Sequence, residues 1–128
     1  MIALLRKLLG KKNAPASTGT KYVSPYSVTF NDQGISTFFE RKPHETISWG
    51  AILGILIEIK EQGFLSVPYW YVSGKDGGIV FPSDAVGHEE LLNEFKLKLP
   101  GYHNAQTYRT ITDAMGAQTG SFIVWKRA

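Results

Sequence analysis

The sequence contains no cysteine. A disulfide framework, a thiolate metal site and a thiol nucleophile are therefore excluded. The absence fits a reducing compartment, and the cytoplasm is the expected location. Long apolar runs are missing too. The longest, "ISWGAILGILIEI" at 47–59, holds two glycines and a glutamate and is too short for a membrane span. Acidic residues are absent from positions 1–21, which carry Arg6, Lys7, Lys11, Lys12 and Lys21. The rest of the chain has nine basic and eleven acidic side chains, a net charge of −2, so the overall +3 belongs to the opening segment. A faintly acidic body argues against nucleic-acid binding, because neutralising phosphates takes clustered cations.

Catalytic signatures are equally scarce. No G-x-S-x-G elbow is present. His88 has Leu92 at i+4, so the two-histidine helical metal spacing fails. Asp76-Gly77-Gly78 lacks the spacing and the following Lys-Ser/Thr of a phosphate loop and reads as a turn. Glu40, Glu45 and Glu58 are dispersed along the chain and are expected in solvent. The expectation is a protein without enzymatic activity, cofactor, metal or small-molecule substrate.

What is present is a globular composition, 43% apolar and 12% aromatic over 128 residues, enough for one domain with one core. Residues 1–9 fit a short amphipathic helix, with Ile2, Leu4, Leu5, Leu8 and Leu9 recurring at three and four while Arg6 and Lys7 point elsewhere. Residues 10–21, "GKKNAPASTGTK", read as a linker. Segments 1–21 and 22–128 are thus expected to be a basic helix with its linker and a single α+β domain.

Within that domain, "YSVTF", "NDQG" and "ISTFFE" read as strand, turn, strand. "RKPHE" reads as a second turn, because Pro43 fixes φ and lacks a donor. "TISW" and "ILIEIK" resume strand character around a bend at Gly50 and Gly54, and "EQGFLSVP" at 61–68 reads as a longer loop. "YWYVSG" and "IVFP" make a hairpin. A helix follows over 88–99, with Leu91, Leu92, Phe95 and Leu99 on one face. Glu89 and Glu90 in its first turn and Lys96 and Lys98 near its end complement the macrodipole. A weaker helix at 105–116 and a strand at 121–126 complete the order. The expected fold is α+β: a curled antiparallel sheet or partial barrel of about seven strands, capped by the amphipathic helix.

The opening "VTFNDQGIS", then "TISWGAILGI", then a hairpin ending in "FPSDA" before an amphipathic helix resembles bacterial pleckstrin-homology-like domains. That resemblance implies a core position for Trp49 and a helix capping one end of the curved sheet. Residues 28–127 also resemble a family of small, uncharacterised proteobacterial proteins, through "YWYVSGKDGG", "ELLNEFKLKLPGYHN", "DAMG" and "FIVWKR". Tyr102-His103 stands where that family has Phe-Asp. Neither resemblance implies catalytic residues.

Two contact surfaces are legible. Strand alternation puts Tyr69 and Tyr71 on one sheet face and Trp70 on the other, so a large aromatic face either meets a partner or is covered by the helices. Glu89, Glu90 and Glu94, with Asp84 nearby, form an acidic patch. Together they suggest a protein-binding module whose partner is a toxin or a second copy of the chain. One form is an immunity or inhibitor protein that neutralises a cationic bacterial toxin through charge complementarity. The alternative is a peripheral module on an anionic membrane at the inner face. There residues 1–9 lie on the lipid with Leu4, Leu5, Leu8 and Leu9 inward and Arg6, Lys7, Lys11 and Lys12 at the headgroups. A secretory signal is rejected, because the cations interrupt and follow the apolar residues instead of preceding them.

Overall fold

Alternating isoleucines build the longest strand. Ile55, Ile57 and Ile59 are buried, while Leu56 and Glu58 between them are half-buried and Lys60 is exposed. A β-strand sends successive side chains to opposite faces, and each fully buried isoleucine contributes about 1.5–3 kcal/mol. The computed structural model describes residues 23–62 and 65–128. The expected basic helix and linker, with Leu4, Leu5, Leu8, Leu9, Arg6, Lys7, Lys11 and Lys12, lie outside the described residues.

The architecture is mixed α+β with two antiparallel sheets. The first is a meander of β1 (Tyr26–Phe30), β2 (Gly34–Phe39) and β3 (Lys42–Ser48). The second comprises β4 (Ile52–Gln62), β5 (Leu65–Gly74), β6 (Gly77–Pro82) and β7 (Gly120–Lys126), in the spatial order β6-β5-β4-β7. A single 3-10 turn, Trp49–Ala51, joins the sheets. Helices α1 (His88–Lys98) and α2 (Ala105–Met115) separate β6 from β7. Seven strands are therefore split between two sheets, with no closed barrel among the described residues.

Two expected loops are strands. The turn expected at 41–45 shrinks to Glu40 and Arg41, both at positive φ (51° and 70°), as a two-residue hairpin turn demands. Pro43 lies inside β3, which among the described strands pairs with β2 alone. An edge strand tolerates a residue without an N–H. His44 is the extra residue of a bulge there, since Phe38 faces Pro43 and Thr37 faces Glu45. The loop expected at 61–68 is instead the close of a long hairpin, with β4 and β5 in register from Gln62↔Leu65 to Ile55↔Val72.

One core unites the elements. Val28 and Ile35 come from the first sheet, Ile57, Trp70, Val72 and Phe81 from the second, Leu91 and Phe95 from α1, and Ala114 from α2. β6 lies against all three strands of the first sheet. Trp49 is buried, and its indole N–H donates to the Asn31 carbonyl at 2.8 Å. Arg127 donates from Nε to the Ile52 carbonyl and from Nη2 to the Trp49 carbonyl, which pins the inter-sheet turn to the C-terminal strand. α2 is capped by Asn104, whose Oδ1 accepts from the Thr107 N–H at 2.8 Å.

Candidate functional site

The acidic candidates converge at the start of α1. The chain leaves β6, turns, and pairs briefly with the outer edge of β1: the Val28 N–H donates to the Val86 carbonyl and the Val86 N–H to the Tyr26 carbonyl. Gly87 follows at φ 92°, a left-handed conformation that brings its backbone close to the Val28 carbonyl. α1 therefore starts on a residue with no side-chain cap. Glu89 and Glu90 in the first turn supply the compensating negative charge.

The consequence is a concavity of about 280 Å³ lined by Ser83, Asp84, Gly87, His88, Glu89 and Glu90. Glu89 and Glu90 are exposed, and neither joins an ion pair among the described residues. Asp84 is half-buried and already engaged. Glu94 stands apart, one turn further along α1 in an ion pair with Lys98, which also reaches Asp32. The acidic cluster is thus Asp84, Glu89 and Glu90, without Glu94.

His88 sits beneath this rim. Its ring packs edge-on against Trp70 (centroids 5.2 Å apart) and Phe81 (5.8 Å), and Nδ1 is buried with no hydrogen-bond partner among the described residues. Burial holds its pKa below the ordinary histidine value, and outweighs the opposing pull of Glu89, Asp84 and Glu90. The other two histidines are remote in character. His44 is exposed in the β3 bulge, and exposed His103 shares a hydrogen bond with the Tyr108 hydroxyl at 2.6 Å.

The aromatic candidates divide. Trp70 is 1% exposed and belongs to the core, its Nε1 donating to Ser83 Oγ at 3.0 Å. It is not a surface contact, because its strand parity aims it at α1. Tyr69 and Tyr71 face the other way and are half-buried. The Tyr71 hydroxyl donates to Glu58 Oε1 at 2.9 Å, and Lys60 Nζ lies 5.2 Å and 5.8 Å from the Tyr69 and Tyr71 ring centroids. Glu58 is therefore part of a cross-strand cluster with Tyr71 and Lys60, not a solvated stray.

Glu45 is also engaged. Its Oε1 accepts from the Val80 N–H at 2.9 Å, so a β3 side chain caps the edge of β6. Beyond it lies an open groove of about 670 Å³ lined by Thr46, Ser48, Leu53, Gly74, Lys75 and Asp76 among others. The alternation of Glu58 and Lys60 was visible in sequence. Their partner Tyr71 was not, because reading 61–68 as a loop removed the register that places Glu58 beside Tyr69 and Leu56 beside Tyr71.

No helix among the described residues is long and apolar enough to cross a membrane. Comparison of the chain with family models, with curated proteins and with solved structures yields no match.

Proposed function

We propose that the protein is a non-catalytic protein-binding module whose contact point is the acidic rim at the start of α1. The observation that carries this reading is the convergence of Asp84, Glu89 and Glu90 on one concavity, with Glu89 and Glu90 exposed and outside any ion pair among the described residues. Exposed carboxylates of one sign raise the encounter rate of a cationic partner and orient it. His88, packed edge-on against the buried Trp70 and Phe81, ties that rim to the core.

The narrower form of the reading is an inhibitor of a cationic, nucleic-acid-directed toxin, neutralised by occupation of its basic surface. The pleckstrin-like resemblance fits a binding module equally well. Capture of a stoichiometric basic protein by the full chain, from a lysate of its own cells, tests the reading. Recovery of only substoichiometric, acidic or abundant housekeeping proteins counts against it.

A further inference from the structure

We propose that the open groove beyond Glu45 takes an extended peptide segment of a partner protein, added as a strand to the free edge of β3. The groove, of about 670 Å³, is lined by Thr46 and Ser48 of β3 and by Lys75, Gly77 and Gly78 of the β5–β6 hairpin. All five residues are exposed. A space of this size holds a few residues of a peptide.

Strand pairing decides which backbone groups face the groove. The Trp49 N–H donates to the Gln33 carbonyl at 3.1 Å, so those two residues form a hydrogen-bonded pair. Antiparallel bonding alternates with a period of two. Ser48 and Thr46, opposite Gly34 and Ser36, therefore occupy the non-bonded positions. The Thr46 N–H and C=O and the Ser48 N–H point away from β2, to the free edge. In the hairpin, the Val80 N–H faces away from β5, because it donates to Glu45. The same alternation turns the Gly78 N–H and C=O outward. Glu45 occupies Val80 and leaves Thr46 and Gly78 with no backbone partner among the described residues.

Edge donors and acceptors repeating at every second residue match an extended backbone. Gly50 adds an independent sign. It lines the same groove, its φ is not positive, and nothing lies within 4 Å of where a Cβ would stand. Neither packing nor backbone conformation among the described residues calls for glycine there, and such a position lets another backbone pass close by. Leu53, 47% exposed, and Ala51 offer an apolar seat to an alternate side chain of the segment. Lys75 and Asp76 balance in charge, so recognition rests on backbone pairing and apolar contact. With β3 on one side and the hairpin on the other, the groove admits a single strand. The edge of a second copy would bring its own sheet with it. The groove shares no lining residue with the acidic rim, so failure of either role leaves the other standing.

A displayed library of short random peptides, screened on the full chain, supplies the probe. An enriched peptide titrated into 15N-labelled full-length protein should shift the amide signals of Thr46, Ser48, Gly50 and Gly78. Thr46→Pro removes an edge donor without touching the backbone ladder to β2, and should weaken binding about tenfold. Gly50→Trp places a side chain in open space at the groove. It should weaken binding at least as much while the denaturant midpoint stays near the parent's. Enrichment of no peptide, or shifts confined to Asp84, Glu89 and Glu90, would overturn the proposal. Undiminished binding by Gly50→Trp would overturn it as well. Shifts at Thr46 and Gly78 that grow with protein concentration in the absence of peptide would also overturn it, by assigning the edge to a second copy.

Discussion

The carboxylate of Glu45 accepts a hydrogen bond from the backbone N–H of Val80, 35 positions away and in the other sheet. The bond lies where the edge strand of one sheet approaches the edge strand of the other. Sheet edges expose unpaired backbone groups that recruit foreign strands, and a charged side chain laid across them is one way to block this. Hydrogen bonds to charged groups contribute about 1.5–3 kcal/mol, and the half-exposed setting reduces that. Glu45→Ala should cost about 1–2 kcal/mol in urea unfolding, and Glu45→Gln less. The alanine variant should also show greater concentration-dependent self-association by light scattering. Equal stability of Glu45→Ala and the parent would remove the bridge from the description.

Trp70 and Tyr71 are neighbours in sequence with opposite roles. Trp70→Ala empties a site at the centre of the core and should cost about 3–5 kcal/mol. Tyr71→Phe forfeits only the bond to Glu58 and should cost about 0.5–1.5 kcal/mol. Denaturant midpoints separate the two cases. Near-neutral behaviour of Trp70→Ala would contradict the burial of the indole.

His88 makes stability depend on pH. Its folded pKa lies below the unfolded value of about 6.5, because burial disfavours the imidazolium. The neutral ring's contribution is therefore complete above that unfolded value and is lost as pH falls through the folded one. Between about pH 7 and pH 5 the parent should lose more stability than His88→Gln, which has no proton to take up. Parallel stability curves for the two proteins would show that His88 does not titrate against burial.

Gly87 has two reasons to be glycine. Its φ is 92°, and a Cβ there would run into the carbonyl oxygen of Val28. Gly87→Ala should cost about 1–3 kcal/mol and loosen the bridge between β1 and Val86. Faster hydrogen exchange at the Val28 and Val86 amides, against unchanged exchange in β4, is the expected pattern. Unaltered exchange at Val28 and Val86 would mean the turn absorbs the side chain.

Much of the fold could be read before the structure. Alternation in "ILIEIK" and the leucine face of 88–99 depend on local periodicity, and both follow it closely. The errors share one cause. Pro43 reads as a turn residue and Pro68 ends the segment that reads as a loop, yet both occupy strands, where pairing across the sheet outweighs local preference. Because 61–68 became a loop, the cross-strand neighbours of Tyr69 and Tyr71 could not be assigned. Trp70 illustrates the same limit: parity placed it opposite the tyrosines, but only α1 packing beneath it decides that this side is the core. The acidic rim was partly legible. Glu89 and Glu90 follow from helix-terminal electrostatics, whereas the separation of Glu94 depends on the helix's rotation and on Lys98.

The most direct test of the binding role compares the full chain with its Glu89→Lys/Glu90→Lys variant in parallel capture experiments from the same lysate. The parent is expected to retain a basic protein in stoichiometric amount, and the charge-reversed variant to lose it while unfolding at a similar denaturant concentration. Retention of the same protein in equal amount by both chains would contradict a partner held by the acidic rim.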